Sequence, residues 1–262
     1  MSLLRERDGS VLTLRIDRPE AYNALNREVL DGIRAGVDEA AKDSGIRVIV
    51  VTASGEKAFS AGADLKELAT MGPDEAHRTM AYGQEVMRHL ERTPVPVIAA
   101  VNALALGGGF ELALAATFPV LADRAQLGLP ESGLGLIPGY GGTQRLPRAV
   151  GPRIAAHLMI TGARLSAERA FDLGLTPVPP VPQAELAKTV ASLAETVAAQ
   201  GPSAVKSILQ AMDLGRDTPL DGGLRAETGL AALAIAGDES TEGISAFLER
   251  RPAQFINRKE TR

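Results

Sequence analysis

The feature that most constrains the fold is a short apolar run followed closely by glycines. Residues 95–101 read VPVIAAV, which is too short to span a membrane and is typical of a strand buried on both faces. Gly107, Gly108 and Gly109 follow, and strong helix formers continue to Ala115. The pattern predicts a buried strand, a tight turn of the backbone and a helix that begins at the glycines.

The start of this helix is a candidate reactive site. The first turn of a helix has N–H groups without intrahelical acceptors, and the helix dipole makes them suitable for an oxygen that gains negative charge. Glu111 lies in the same turn, and Glu131 follows a proline farther along the chain. Two glutamates beside such a site indicate acid–base chemistry. From spacing alone, it is equally plausible that Glu111 is a solvated helix residue and Glu131 a loop acid.

Composition narrows the classes of function. The 262 residues carry a net charge of -4, with no run of lysine or arginine of the kind that marks a nucleic-acid surface. There is no cysteine, which excludes a thiolate nucleophile and a cysteine-ligated metal. His77, His89 and His157 lack metal-ligand spacing, so no metal site is predicted. With neither a signal-peptide core nor a spanning segment, we expect a soluble, cytoplasmic protein that does not enter membranes.

Strand and helix patterns alternate along the first part of the chain, which predicts the α/β class. The turn signal Asp8-Gly9 precedes the first strand pattern, and Asn26 is placed to cap the first helix. The predicted elements are strands over residues 11–16 and 47–52, a strand-to-helix loop over residues 57–66, and helices over Arg27–Lys42 and residues 75–91.

Beyond Gly142 the patterns are mainly helical. We divide the chain into an active-site body, residues 1–200, and a helical oligomerisation region, residues 201–262. From pattern alone, packing of these last helices on their own body is about as plausible as a subunit interface. The predicted features are a helix over residues 166–173, a connection over 176–182 and an amphipathic helix over 186–197. Three further helices are predicted to begin at Gly201, at a capping box formed by residues 218–221, and at Ser240, and the last of them runs roughly to Arg251.

Three familiar motifs are disfavoured. Ser60 lies in the sequence AFSAG (Ala58 to Gly62), which resembles the nucleophile elbow of α/β-hydrolases with alanine in place of the first glycine. However, the glycine triplet follows this serine instead of preceding it, and His157 lies far from the C-terminus, where that fold places its base. The glycines of residues 133–142 fit neither a dinucleotide fingerprint nor a phosphate loop.

Five ordered motifs resemble the crotonase (enoyl-CoA hydratase/isomerase) family, and together they cover nearly the whole chain. The resemblance implies a crotonase-like spiral of ββα units followed by a C-terminal helical region that forms trimers. We therefore expect a homotrimer or a homohexamer made of two trimers. The motifs are RPEAYNAL at 18–25, FSAGADLK at 59–66, ALGGGFEL at 105–112, PE at 130–131 with PGYGGTQRL at 138–146, and FLERR at 247–251.

The resemblance also implies the parts of an active site. In the family, N–H groups at the positions of Ala63 and Gly108 hold the thioester oxygen, and the two glutamates that hydrate the substrate fall on Glu111 and Glu131. The implied reaction adds water across the 2,3 double bond of an α,β-unsaturated acyl-CoA. No cofactor is expected, because coenzyme A is part of the substrate. The residues expected to contact substrate are Ala21, Ala61, Ala63, Asp64, Leu65, Lys66, Gly108, Tyr140, Phe247 and Arg250.

Three positions depart from the usual family pattern. Glu20 stands where many relatives have a lysine near the CoA nucleotide, which makes Lys66 and Arg250 the better phosphate partners. Thr117 replaces a usual aspartate, which we interpret as a structural change. Tyr140 is expected either to narrow the acyl pocket beside Glu131 or to point into solvent.

Other functions stay open at this point. Glu111 favours a hydratase over a double-bond isomerase, which generally needs only the carboxylate at the Glu131 position. A hydratase of branched or carboxylated enoyl-CoAs, of the methylglutaconyl kind, is a close competitor. Some relatives bind RNA, but the net negative charge of this chain argues against RNA binding here. A non-catalytic assembly subunit would have no reason to keep both acids.

Overall fold

The computed structural model describes residues 2–255, which form a body of two sheets and several helices followed by a helical C-terminal region. Met1 and residues 256–262, the end of the predicted helical region, lie outside the described residues. The larger sheet has the strand order β1-β2-β3-β5-β7, formed by β1 (Leu3–Asp8), β2 (Val11–Ile16), β3 (Val48–Ala53), β5 (Val97–Val101) and β7 (Phe118–Leu121). The smaller sheet has the order β4-β6-β8-β9, formed by β4 (Ala58–Ser60), β6 (Leu104–Leu106), β8 (Gln126–Gly128) and β9 (Leu165–Ser166).

The connections between these strands are repeated units of strand, strand and helix. β1 and β2 form an antiparallel hairpin, and β2, β3, β5 and β7 then pair in parallel. Parallel neighbours require crossover connections, which the helices supply. The arrangement confirms the predicted α/β class. The helices of the body are α1 (Arg27–Lys42), α2 (Leu65–Leu68), α3 (Pro73–Glu91), α4 (Gly108–Ala115), α5 (Gly142–Val150), α6 (Pro152–Thr161), α7 (Ala167–Asp172) and α8 (Leu186–Ala198).

The predicted N-cap of α1 is confirmed. The side chain of Asn26 accepts a hydrogen bond from the N–H of Val29 at 3.0 Å, which satisfies one of the free donors of the first turn. One face of the helix is apolar at helical spacing, and Val29, Ile33 and Val37 on that face are fully buried. Helix α1 packs this face on β1 and β2, and so covers one side of the larger sheet.

Helix α4 lies at the centre of the body. It is apolar on nearly every side, and seven of its eight residues are buried. It contacts strands of both sheets and the neighbouring helices α3 and α5. Helix α8 covers the other face of the larger sheet with Leu186, Val190 and Ala194. Because α4 is enclosed on all sides, its N-terminus is held in a fixed position at the junction of the two sheets.

The C-terminal region consists of α9 (Pro202–Gly215), α10 (Leu220–Ile235) and α11 (Asp238–Glu249). The prediction of a helical end to the chain is therefore confirmed for these residues. No residue of α9 or α10 is buried, and α11 buries only Ala246. Their large apolar side chains lie exposed in the single chain, as shown by Ile208, Met212, Leu220, Leu233, Ile235, Ile244, Phe247 and Leu248.

Some local predictions were wrong. Pro219, and not Thr218, is the residue before α10, and no side chain caps this helix. The hydroxyl of Thr218 instead donates to the carbonyl of Leu214, at the end of α9. The loop predicted over residues 57–66 contains strand β4. The last helix, predicted roughly over residues 240–251, is present as α11 (Asp238–Glu249).

Thr117 has the structural role that we expected. Its hydroxyl accepts a hydrogen bond from the N–H of Val97 at 2.9 Å, and its own N–H donates to the carbonyl of Val97 at 2.9 Å. The residue therefore joins the start of β5 to the end of α4. Among residues 2–255, no helix is long and apolar enough to cross a membrane.

Candidate active site

Each of the three glycines at the start of α4 is required for a different reason. Gly107 has φ +50°, a backbone conformation that side chains disfavour, and a Cβ there would lie 2.9 Å from Oε1 of Glu131. A Cβ on Gly108 would lie 3.0 Å from the ring of Tyr140, and one on Gly109 would overlap the carbonyl of Ser60. Only glycines allow the smaller sheet, the ring and a carboxylate to approach the helix this closely.

The backbones of Gly108 and Ala63 meet at this point. A Cβ on Gly108 would lie 3.3 Å from the N atom of Ala63, so the two backbones are in contact. Gly108 is the first residue of α4, so its N–H has no acceptor within the helix. The two residues beside Ala63 form hydrogen bonds with Leu25. The N–H of Leu25 donates to the carbonyl of Gly62, and the N–H of Asp64 donates to the carbonyl of Leu25. Because N–H directions alternate along an extended segment, the N–H of Ala63 points to the opposite side.

Glu111 is a buried carboxylate with only 1% of its surface exposed. Its Oε1 accepts hydrogen bonds from the N–H groups of Tyr140 at 2.8 Å and Gly142 at 2.6 Å. Burial raises the pKa of Glu111 to about 7, with the N–H of Gly142 acting against this and the charge of Glu131 adding to it. The alternative of a solvated helix residue is wrong, and a carboxyl of this kind can exchange a proton near neutral pH.

Glu131 begins a 3₁₀ turn, Glu131–Leu134, and is partly buried. Its Oε1 lies over the backbone of Gly107, and its Oε2 is buried without a hydrogen-bond partner among the described residues. Burial raises the pKa of Glu131. An unpartnered carboxyl oxygen beside the start of α4 is therefore free to interact with a bound molecule.

Tyr140 does not point into solvent, so that alternative is wrong. The side chain is buried, and its ring lies between α3 and the start of α4, where a Cβ on Gly83 would overlap it. Burial raises the pKa of Tyr140 to about 12, with the charge of Glu111 as the next cause. The ring borders a cavity of about 360 Å³, whose lining includes Leu25 and Leu30 together with the charged residues Arg27, Glu67 and Glu75.

The segment around Ala63 is fixed by polar contacts of its own. The N–H of Ala61 donates to the carbonyl of Tyr22 at 2.9 Å, which brings Ala61 beside Ala21. Asp64 pairs with Arg18 at 3.0 Å and accepts from the N–H of Lys66 at 3.2 Å at the start of α2. The carboxylate of Asp64 therefore organises the loop, whereas the side chains of Leu65 and Lys66 are exposed.

Phe247 and Arg250 do not contact the residues at the start of α4 through any described hydrogen bond or ion pair. Phe247 lies on α11 with 83% of its surface exposed, and Arg250 follows the helix in the left-handed conformation. No described hydrogen bond or ion pair joins either side chain to Glu111 or Glu131. Contact of both residues with CoA stays a prediction, as do the substrate contacts of the other residues.

The sequence patterns predicted no role for Arg145, which lies in the motif PGYGGTQRL at 138–146. Its Nη1 donates to the carbonyl of Tyr140 at 2.9 Å, and its Nη2 pairs with Glu91 at 3.0 Å. The available signal for a role of this residue was its position, three residues after the last glycine of the loop. Its partner Glu91 lies 54 positions away, so no local pattern connects the two.

Comparison with known proteins gives matches to one family over nearly the whole chain. The model of the enoyl-CoA hydratase/isomerase family matches residues 6–258. A crotonyl-CoA hydratase of Syntrophomonas wolfei is 39% identical over 98% of each chain, and a short-chain-enoyl-CoA hydratase of Clostridium acetobutylicum is 36% identical over 98% of each. The crystal structure of an enoyl-CoA hydratase from Bacillus anthracis matches with a TM-score of 0.94 and 36% identity, covering 97% of this chain and 99% of that one.

Proposed function

The chain belongs to the enoyl-CoA hydratase/isomerase family, and we propose that it is an enoyl-CoA hydratase that works through Glu111, Glu131 and the N–H groups of Ala63 and Gly108. One observation carries the proposal: the carboxyl groups of Glu111 and Glu131, whose pKa values burial raises, lie at the start of α4, where the backbones of Gly108 and Ala63 are in contact. The substrate is an α,β-unsaturated acyl-CoA, and the product is the 3-hydroxyacyl-CoA.

The two N–H groups stabilise the charge that develops in this reaction. When water attacks C3, the electrons of the double bond move onto the thioester oxygen. Preformed donors from Ala63 and Gly108 stabilise that oxygen without reorganising, and one donor of this kind contributes about 3 kcal/mol. Placement of the donors in a buried cleft strengthens the effect, since solvent screening is weak there.

The two glutamates divide the proton transfers. Glu111 in its ionised form accepts a proton from the attacking water through Oε2, because Oε1 is held by Tyr140 and Gly142. Glu131 in its protonated form gives its proton to C2. A proton returns from Glu111 to Glu131, directly or through solvent, and restores the starting state. The sum of these steps is the addition of one water, and it requires no metal or redox cofactor.

The environment of Glu111 favours hydration over isomerisation of the double bond. An isomerase moves a proton between C2 and C4 and can do so with one carboxyl group. In this chain the second carboxyl is buried, oriented by two N–H groups and has a pKa of about 7. Burying and orienting an acid in this way costs stability, which a reaction that uses one carboxyl would not offset.

We propose that the acyl group extends from the glutamates along the ring of Tyr140 toward the cavity of about 360 Å³. The ring removes space that a longer chain needs, which favours short enoyl groups. The similarity to a crotonyl-CoA hydratase and to a short-chain-enoyl-CoA hydratase supports this preference. Lys66 and Arg250 are proposed to meet the phosphates of CoA, and Phe247 its nucleotide.

Assembly into trimers, or into hexamers of two trimers, completes the proposal. The apolar side chains that α9, α10 and α11 expose need a cover, and a second copy of the chain would supply one. In such an assembly, the exposed Phe247 and Arg250 lie near a subunit boundary, where they can approach the CoA held by a neighbour.

The test is a panel of enoyl-CoA thioesters assayed with the purified protein by loss of the absorbance of the conjugated thioester. The panel includes crotonyl-CoA, longer straight chains, and branched and carboxylated enoyl groups. We expect the highest kcat/KM for crotonyl-CoA. A preference for a branched or carboxylated substrate would favour the methylglutaconyl-like alternative, and conversion of a 3-enoyl-CoA without hydration would favour the isomerase.

A further inference from the structure

A nearly buried carboxylate, Glu91, lies at the centre of an ion-pair cluster beside the active site. Its side chain is only 9% exposed, and it pairs with Arg88 at 2.9 Å, with Arg145 at 3.0 Å and with Arg216. Burial alone would raise the pKa of Glu91, but its hydrogen bonds and charge contacts with these arginines lower it to about 2. We call Glu91 and its three arginines the Glu91 cluster.

Arg145 extends this cluster to the active site. One side of its guanidinium binds Glu91 through Nε and Nη2, and Nη1 donates to the carbonyl of Tyr140 at 2.9 Å. The side chain is only 15% exposed, so solvent competes weakly for these bonds. Because the guanidinium is planar and its donors have fixed directions, anchoring one side on α3 fixes the position of the other.

The carbonyl that Arg145 holds belongs to the residue whose N–H holds Glu111. Tyr140 donates to Oε1 of Glu111 at 2.8 Å, and Gly142, two residues on, donates to the same oxygen at 2.6 Å. Between them, Gly141 has φ +110°, and a Cβ there would overlap Nη1 of Arg145. The backbone from Tyr140 to Gly142 is therefore fixed between a guanidinium on one side and a carboxylate on the other.

We propose that Arg145 is a positioning residue for the hydration reaction: anchored by Glu91, it sets the backbone that orients the carboxylate of Glu111 toward the attacking water. This inference rests on the proposed function of Glu111. Arg216 follows α9, so the same cluster connects the C-terminal helices to the backbone around the active site.

A purely structural role would give a different result from a positioning role. If Arg145 only stabilised the fold, its loss would reduce the amount of folded enzyme and leave the properties of each folded molecule unchanged. A misplaced acid or base lowers kcat while substrate binding is preserved. Burial and the negative charge of Glu131 raise the pKa of Glu111, whereas its hydrogen bonds from Gly142 and Tyr140 and the positive charge of Arg145 lower it. Removal of the Arg145 charge therefore moves the pKa of Glu111 upward.

The experiment compares Arg145→Gln, Arg145→Lys and Glu91→Gln with the matched control Arg148→Gln. Arg148 lies on the same helix, but its side chain is about half exposed and pairs with Asp217. For Arg145→Gln we expect kcat for crotonyl-CoA to fall between about 10- and 100-fold, with KM close to the wild-type value. Arg145→Lys and Glu91→Gln should lie between this variant and the wild type, and Arg148→Gln should match the wild type.

A second measurement follows the titration of Glu111 by the ¹³C chemical shift of its carboxyl carbon in labelled protein. We expect the pKa of Glu111 to rise in Arg145→Gln and to stay unchanged in Arg148→Gln. If Arg145→Gln does not fold, the kcat values of Arg145→Lys and Glu91→Gln provide the test, because both variants keep a positive charge at position 145 and should not raise the pKa of Glu111. Wild-type kcat in the folded Arg145 and Glu91 variants, or an unchanged pKa of Glu111 in folded Arg145→Gln, would overturn the inference. Failure of the wild type to hydrate any enoyl-CoA would overturn the proposed function instead, and the titration would still test the positioning.

Discussion

Helix α4 and the helices α9 to α11 use apolar residues in opposite ways. In α4, seven of eight residues are buried by the chain's own sheets and helices, whereas α9 and α10 bury none. Around the start of the first region, a single chain places Glu111, Glu131 and the contacting backbones of Gly108 and Ala63. The second leaves apolar surface that the single chain does not cover. The reacting groups and the proposed assembly surface therefore lie on different elements of the chain, and mutations can address either one first.

The largest effect is expected for Gly108→Val. The new side chain would press against the ring of Tyr140, 3.0 Å from the ideal Cβ, and against the N atom of Ala63 at 3.3 Å. It would displace a donor of the oxyanion site, so we expect kcat to fall on the order of 10³-fold. Gly72→Val is the matched control, since a Cβ on Gly72 meets nothing within 4 Å. Near-normal hydration by Gly108→Val would mean that the donor lies elsewhere.

Glu111→Gln and Glu131→Gln should each lower kcat by roughly 10²-fold, the range for a positioned acid or base. Both substitutions keep the size of the side chain, and a glutamine at position 111 still accepts from the N–H groups of Tyr140 and Gly142. Folding and the sedimentation coefficient should therefore stay unchanged. Wild-type turnover on every enoyl-CoA tested would remove that glutamate from the mechanism.

Local sequence predicted α1 and α4 well because their signals are local. The Asn26 cap contacts only the first turn of α1, and the glycine triplet is contiguous with the start of α4. Both features could therefore be identified without knowledge of the fold. Thr218 also showed a local capping pattern, but its hydroxyl bonds to Leu214 because α9 ends beside it. Arg145 and Glu91 belong to different helices, and Tyr140 takes its place only because Gly83 leaves room. Such pairs depend on tertiary packing, which no spacing along the chain encodes.

Association of the chains should weaken when exposed apolar residues of α10 are replaced, although Glu111 and Glu131 are unchanged. Leu233→Asp and Ile235→Asp place charges on α10 where side chains are 73% and 75% exposed in the single chain. If a second copy covers these residues, each substitution should weaken association roughly 30-fold, about 2 kcal/mol. Sedimentation velocity measures the change, and Lys188→Asp on the exposed side of α8 is the control. A wild-type chain that sediments as an active monomer would contradict the assembly proposal.

The smallest expected effect concerns chain length. Tyr140→Ala removes the ring that borders the cavity of about 360 Å³, so longer acyl groups gain room. A pocket discriminates by about 1–3 kcal/mol per methylene, so kcat/KM for medium-chain relative to crotonyl substrates should rise about 10-fold. Tyr140→Phe keeps the ring and should reproduce the wild-type profile. Superimposed profiles for Tyr140→Ala and wild type would show that the ring does not limit the chain.

The contact between Tyr140 and Gly83 also constrains how this protein can evolve. Any side chain at position 83 would overlap the ring, so a mutation there is harmful as long as Tyr140 is present. Once position 140 carries a small residue, position 83 is open to substitution. The two positions therefore have a preferred order of change, in which we expect loss of the ring at position 140 to precede a larger residue at position 83.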